Sequence, residues 1–323
     1  MSSFKILISE NVAEICVSKL LEKNFEVAYR SDISADELLD IIRDFHGLIV
    51  RSATKVTSEV IQAGTKLKVI GRAGVGIDNI DLDTATRKGI AVFNAASANT
   101  LSAAEHTFAL MLALARDIPK AHISIHNGEW NRSAFKGVEL FGKTLGIVGL
   151  GKIGREVATR AQAFKMQTLG CDPLIETGDF ERLGVEECDL HELFRRSDFM
   201  TVHVPLIAET KHLITEEHFA IAKSSLRIIN TARGGVIDES ALFRALESGR
   251  IAAAALDVFE EEPPVNNPLL ELENVVTTPH LAASTNEAQE KVAAEIAESV
   301  ANFLLEKRTD NIINAQILDR NTA

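Results

Sequence analysis

Apolar residues along the chain fall into short continuous runs separated by stretches of helical spacing, and the two alternate from the start. Residues 4–8 form a run of strand length. Val12, Ile15, Cys16 and Leu20 then recur at helical intervals and predict a helix capped by Ser9, before a second strand at 25–29. Ser34-Ala35-Asp36-Glu37 has the form of a capping box and opens a helix through Leu38, Ile41, Ile42 and Phe45. Further strands are predicted at 47–51, 67–72 and 90–94, with a helix at 58–63 and another before the last strand. Strands joined by helices imply a parallel sheet covered on both faces.

The pattern then changes. Ser102-Ala103-Ala104-Glu105 reads as a capping box for a long apolar helix through 108–115, stopped by Pro119. This helix is read as the first crossing between two domains. After a loop containing Trp130 and Phe135, whose simplest role is to anchor it, a second series begins at Thr144. It runs through five more strands to 277–279. Ser284-Thr285-Asn286-Glu287 caps a final helix to about Leu305, expected to return to the first domain. The expected fold class is thus α/β, with two doubly wound parallel-sheet domains: residues 1–98 plus 284–323, and 99–283.

Composition narrows the function. A chain of 323 residues with 46% hydrophobic side chains is too long for one comfortable core. Its 34 basic and 46 acidic residues give a net charge of −12, which disfavours a nucleic-acid or anionic-membrane partner. An anionic small substrate stays open where arginines gather locally. Cys16, Cys171 and Cys188 are scattered, which fits a reducing, cytoplasmic setting better than a disulfide framework or a zinc ribbon. The N-terminus, from Met1 to Glu10, reads as neither signal peptide nor anchor, and no apolar stretch approaches membrane-spanning length.

The sharpest chemical signal is Gly149-Leu150-Gly151-Lys152-Ile153-Gly154, which ends an apolar strand and opens a helix. Gly149 suits a tight turn, Gly151 lets backbone approach a pyrophosphate, and Gly154 allows close helix–strand packing. Asp172, at the end of the next strand, stands where an acid meets the adenosine ribose and repels a 2′-phosphate, so NAD is the expected cofactor. Three later segments put chemistry at carboxyl ends of strands: Arg233 beside glycines, Glu262 before Pro263-Pro264, and His280 after Pro279. His280 is the best acid–base candidate among nine histidines and Glu262 its natural partner, although a structural histidine remains open on this pattern. His122 and His126 lack a placed third ligand, and no metal is expected. His203 reads as packing or cofactor-side.

Arg51-Ser52-Ala53-Thr54, Arg72-Ala73-Gly74-Val75-Gly76-Ile77-Asp78-Asn79, the Gly149 loop, Asn230-Thr231-Ala232-Arg233-Gly234, the acidic run from Asp257 to Pro264 and Thr278-Pro279-His280 together resemble the D-isomer-specific 2-hydroxyacid dehydrogenases. The likeness covers almost the whole chain. It implies a flavodoxin-like substrate domain and a Rossmann NAD-binding domain. It further implies His280 as acid–base, Glu262 as its orienting carboxylate, and Arg233 as the clamp on a small anionic 2-hydroxy or 2-keto acid. Within the family the expected substrate is D-3-phosphoglycerate, with hydroxypyruvate, glyoxylate or D-lactate as alternatives, and an NAD-sensing corepressor as a remote one. By the same resemblance Ser52, Ala53, Gly74 and Val75 offer backbone groups to the substrate across a cleft, Arg51 reaches its phosphate, and Arg132 is a weaker second contact. Carried-over cofactor positions are Val75, Lys152, Ile153, Asp172, Val204, Thr231, Asp257, Ala282 and Ala283. A homodimer or higher homo-oligomer is expected through the crossing helix and the Trp130 loop. Ala96 departs from a proline and Ala282 from a glycine usual in relatives, and serine feedback through a regulatory module after the final helix is not expected.

Overall fold

The computed structural model describes residues 4–95 and 98–317. Contacts divide the chain into two units, residues 1–99 with 284–323, and 100–283. In the first unit β1 (Lys5–Ile8), α1 (Glu14–Glu22), β2 (Glu26–Tyr29), α2 (Ala35–Ile41), β3 (Gly47–Val50), α3 (Ser58–Ala63), β4 (Val69–Arg72), α4 (Leu82–Arg87) and β5 (Ala91–Asn94) follow one another. The second unit holds α5 (Thr100–Arg116), α6 (Ile118–His126), β6 (Thr144–Val148), α7 (Lys152–Ala163), β7 (Gln167–Cys171), α8 (Thr177–Leu183), β8 (Glu186–Glu187), α9 (Leu190–Arg196), β9 (Phe199–Val202), α10 (Glu216–Ile221), β10 (Arg227–Asn230), α11 (Glu239–Glu247), β11 (Ala253–Leu256) and β12 (Val275–Thr277). The chain then returns to the first unit as α12 (Asn286–Glu306).

Every strand pairing is parallel. The first sheet runs β2-β1-β3-β4-β5, the flavodoxin-like order, and period-two alternation divides its side chains between two cores. Ile6, Ile8, Ile49, Val69 and Phe93 face Cys16 and Leu20 of α1 and Val292, Ile296 and Val300 of α12. Leu7, Leu48, Val50, Ile70 and Val92 face Leu38, Val60 and Ile61 on the other side. The second sheet runs β12-β11-β10-β9-β6-β7-β8, a Rossmann order with one further strand beyond β11. Leu145, Ile147, Phe199 and Ile229 pack toward α5 and α7, while Met200, Val202, Ile228 and Leu256 pack toward α9, α10 and α11.

Several local expectations are corrected. Ser9 does not cap α1. It is buried at the end of β1, bonding the Ile49 carbonyl and the Thr54 hydroxyl, and the helix starts at Glu14 behind Ala13 without a side-chain cap. Ser102 is already inside α5, which begins at Thr100. Pro119 does not stop that helix. Asp117 breaks it in a left-handed conformation (φ 51°), and Pro119 lies in the first turn of α6, where its missing N–H costs nothing. Thr285, within the predicted capping run, accepts from Ala288 N–H. Six strands follow β6 where five were expected, and the added one is β8, two exposed glutamates with no strand pattern to read. Trp130 is 79% exposed, so among the described residues it is not buried as an anchor for its loop. Met1, Ser2, Ser3 and Ala96 lie outside the described residues.

Candidate active site

At the head of β6 the chain turns at Gly149, whose φ of +90° disfavours a side chain, and a Cβ there would meet the His203 carbonyl oxygen and Val204 Cγ1 at 2.8 Å. A Cβ on Gly154 would lie 2.1 Å from the Gly149 carbonyl oxygen, so the first turn of α7 sits directly on the loop. A Cβ on Gly151 would meet nothing within 4 Å. Asp172 closes the loop from β7, accepting Leu150 N–H on Oδ2 at 2.7 Å and Leu174 N–H on Oδ1 at 2.9 Å. Its remaining lone pairs are those a ribose hydroxyl would use. The start of α7 has neither a capping side chain nor an acid in its first turn, which leaves its N–H groups and positive dipole end to an anion. A tight turn, open space over Gly151 and an uncapped helix end fit the pyrophosphate of a dinucleotide. Lys152 is exposed and Ile153 partly buried at this end. Thr231 is buried, its hydroxyl 2.8 Å from that of Thr107 on α5.

The other half of this edge is built by β10, β11 and β12, neighbours in the sheet, whose carboxyl ends carry Arg233, Glu262 and His280 in turn. The turn after β10 is set by Asn230, which accepts Ala232 N–H and donates to the Arg233 carbonyl, and Arg233 Nη1 donates to the Ala232 carbonyl at 2.6 Å. Glu262 precedes a cis peptide bond to Pro263. Its Oε2 lies 2.8 Å from His280 Nδ1, and its Oε1 accepts Phe259 N–H at 3.2 Å. Burial pushes this carboxyl up, but the bond to His280, the charge beside it and the Phe259 N–H outweigh that and hold it below 4.5. An ionised Glu262 accepts only, so the proton between them belongs to Nδ1, and in the neutral imidazole Nε2 is the acceptor.

His280 itself has φ +54°, uncommon for a residue with a Cβ. Its N–H donates to the carbonyls of Asp257 and Thr278. The Asp257 side chain, fully buried, accepts from Leu281 N–H at 2.7 Å, Ala282 N–H at 2.9 Å and the Thr278 hydroxyl at 2.6 Å. Burial raises this carboxyl, yet its donors, His106 among them, bring it below its usual range. Ala282 is buried and Ala283 partly so. His106, on α5, was missed in the sequence because it sits in an apolar helical run with nothing nearby in the chain to mark it.

Arg51, Ser52, Ala53, Gly74 and Val75 lie in the first unit, in the loops after β3 and β4. Glu10, also missed, organises the first loop: it accepts the N–H groups of Arg51 and Thr54 on Oε1, both at 2.8 Å, and of Ala53 on Oε2 at 3.0 Å. The Ala53 N–H expected to meet a substrate is therefore directed to Glu10. Arg51 Nη1 donates to the Asn11 carbonyl at 3.0 Å. The Gly74 carbonyl accepts Ala95 N–H, and that of Val75 accepts the Asn94 amide. Arg132 stands exposed on a turn at 132–134, outside the network around His280.

His203 bonds Thr201 Oγ1 at 2.9 Å, and desolvation pushes its imidazole down to about 3, which keeps it neutral. His122 and His126 stack edge to face, centroids 4.3 Å apart. Among the described residues, one set of metal-ligand type, His191, Glu217 and His218, brings its ligand atoms within 4.8 Å. Nδ1 of His218, however, accepts Thr215 N–H in capping α10. No helix among the described residues is long and apolar enough to cross a membrane.

The family described as D-isomer specific 2-hydroxyacid dehydrogenase, NAD binding domain, matches residues 108–282, the Gly149 loop and the His280 edge included. The chain belongs to this family. A D-3-phosphoglycerate dehydrogenase of Methanocaldococcus jannaschii is 51% identical over 96% of this chain, and one of Homo sapiens 49% identical over 97%. The chain spans 59% of the length of each. A D-lactate dehydrogenase structure from Aquifex aeolicus, complexed with NAD and lactic acid, superposes with a TM-score of 0.84 at 31% identity, covering 96% of this chain and 99% of that one. The matched residues lie within the second unit and correspond to the family's NAD-binding domain, and the acid at Asp172 agrees with that cofactor.

Proposed function

We propose that the chain catalyses the reversible NAD-dependent oxidation of D-3-phosphoglycerate to 3-phosphohydroxypyruvate, the entry to serine synthesis, in the cytoplasm. The observation that carries the dehydrogenase reading is the His280–Glu262 pair at 2.8 Å, set on the edge of an NAD-binding sheet. The phosphorylated substrate follows from relatives near 50% identity that bear that name. Held by the Gly149 loop and Asp172, NAD would supply the acceptor, and NADH the donor, of the hydride exchanged at C2 of the substrate. His280 Nε2 accepts the C2 hydroxyl proton as the C2–H bond breaks, and Glu262 holds the imidazolium that forms. In the reverse direction Nε2–H protonates the nascent alkoxide. Arg233 holds the substrate carboxylate and the carbonyl oxygen on which charge develops. Arg51 supplies the charge that recognises the phosphate.

The test is NADH oxidation with 3-phosphohydroxypyruvate, hydroxypyruvate, glyoxylate and pyruvate, repeated with NADPH. The proposal expects preference for the phosphorylated acid with NADH, and Arg51→Ala to raise KM for that acid far more than for hydroxypyruvate. An equal effect on both removes the phosphate role, and preference for an unphosphorylated acid reassigns the substrate while keeping the chemistry. Turnover of none of them opposes the enzyme reading.

We infer further that the chain forms a homodimer through α5, α6 and the Trp130 loop. A cavity of about 700 Å³ there is lined by Leu112, Phe135, Phe141 and Phe164 among others. On these segments Trp130, Phe141, Ile118, Ile123 and Ile125 are 79, 70, 52, 56 and 54% exposed, apolar side chains of the kind a partner covers. Light scattering of the wild type and of Trp130→Ser with Phe141→Ser decides it, since a monomeric wild type ends the inference.

A further inference from the structure

The loop that carries His280 has a support that reaches it from another element. His106 on α5 places Nε2 3.1 Å from the Thr278 hydroxyl and 3.3 Å from Asp257 Oδ1. Thr278 spends its own proton on Asp257 Oδ1 at 2.6 Å, so its oxygen is left to accept from His106 Nε2–H. The chain of donors runs from His106 to Thr278 to Asp257. Asp257 in turn fastens the two residues that follow His280, taking Leu281 N–H and Ala282 N–H on separate oxygens. Its carbonyl takes the His280 N–H as well. The strain of a left-handed histidine is therefore countered by one buried aspartate, and that aspartate is held in its rotamer from outside the loop. The Asp257 side chain has no exposed surface and that of His106 only 19%, so water does not replace the link cheaply.

We propose that His106 is a positioning residue for the reaction: acting through Thr278 and Asp257, it fixes the backbone turn that aims His280 Nε2 at the substrate hydroxyl. This rests on the dehydrogenase reading of His280. A turn displaced by a fraction of an ångström moves the proton acceptor off the line of the hydroxyl, which costs rate at saturation more than it costs substrate binding.

The experiment compares His106→Leu, His106→Gln and Thr278→Val in the full chain. Leucine keeps bulk and loses the donor, while glutamine puts its Nε2 donor at a similar reach. His106→Leu is expected to lower kcat by about ten- to a hundredfold with KM for the keto acid within about twofold of wild type. His106→Gln is expected to recover most of that loss, and Thr278→Val to resemble the leucine variant. Hydrogen exchange over residues 279–284 is read on the same proteins without substrate. The amides of Leu281 and Ala282 are expected to exchange roughly fivefold faster in the leucine variant and near the wild-type rate in the glutamine one. Wild-type kcat and exchange in His106→Leu overturn the proposal, as does a glutamine variant as slow as leucine with an equally lowered Tm, which marks simple packing. Should wild type turn over no 2-keto acid, the dehydrogenase reading fails and takes the catalytic role with it. The exchange rates then still decide whether His106 holds the turn.

Discussion

Gly151 and Gly154 stand three residues apart, and the structure separates what each is for. Replacing Gly151 by alanine places a methyl where nothing lies within 4 Å, on a residue with φ −66° and ψ −164° that any amino acid adopts. Folding should be unaffected or gain about 0.4–1 kcal/mol from a less flexible unfolded chain. That same open space is where a pyrophosphate would approach the N–H groups at the start of α7. A methyl standing there displaces the phosphate and breaks one or two charge-assisted hydrogen bonds at about 1.5–3 kcal/mol each, so the NADH Kd should rise by about a hundredfold. In Gly154→Ala the new methyl starts 2.1 Å from the Gly149 carbonyl oxygen, and loop and helix must part by more than about 1 Å to relieve it. Overpacking of this kind costs about 1–3 kcal/mol, so this variant should lose both Tm and NADH affinity. Thermal unfolding without ligand and fluorescence titration with NADH measure the two quantities separately. An unchanged Kd for Gly151→Ala would remove the loop as a phosphate cradle, and an unchanged Tm for Gly154→Ala would refute the packing argument.

Glu262→Gln keeps the shape but not the charge opposite His280, and kcat should fall by about a hundredfold with KM little changed; loss in KM alone would make Glu262 a substrate contact instead. Because Glu262 is held below 4.5, the pairing should persist at neutral and mildly acid pH and fail only as pH drops through that lowered value. For Glu10, burial pushes its carboxyl up, but the Thr54, Ala53 and Arg51 N–H groups prevail and lower it from 4.5. Its stabilising effect is thus complete above about pH 4.5 and is lost as the solution is acidified below it. Glu10→Gln should cost about 1–3 kcal/mol at pH 7 by urea unfolding and should flatten the acid dependence, and equal pH slopes in the two proteins would refute that role.

Much of the fold was legible because parallel strands buried on both faces leave short apolar runs, and helices leave their spacing. Runs such as Lys5–Ile8 and Val69–Arg72 needed no tertiary knowledge, nor did the Gly149 loop, whose residues are consecutive. What misled was chemistry that the backbone could satisfy in more than one way. Ser9 has the identity of a cap but is used across the sheet, and Pro119 serves as well at the start of a helix as after its end. Strand β8 is held by its neighbour's ladder, not by its own two glutamates. Of the site, the residues expected to meet ligand were marked by glycines or by position after a strand. Those that hold them, Glu10 and His106, reach over 41 and 151 positions of sequence respectively to Arg51 and Asp257, a distance no local pattern spans.

Those supporting contacts also reconcile an acidic protein with anionic ligands. A net charge of −12 should repel a dinucleotide and a phosphorylated acid if the carboxylates nearest the sites were free. They are not. Glu10 faces three backbone N–H groups, Asp172 two, Asp257 two with a hydroxyl, and Glu262 one with the imidazole of His280. Each carboxylate is thus engaged by groups of its own or a neighbouring loop. There it replaces the hydrogen bonds that irregular backbone at a strand end has lost, and its charge is largely balanced where it stands. The uncapped helix end at Lys152 then turns a positive dipole end toward an anion, whatever the sum over the chain. It follows that a neutral amide in place of Glu10 or Asp257 should not improve anion binding, as simple charge counting predicts, but should weaken it by loosening the loop.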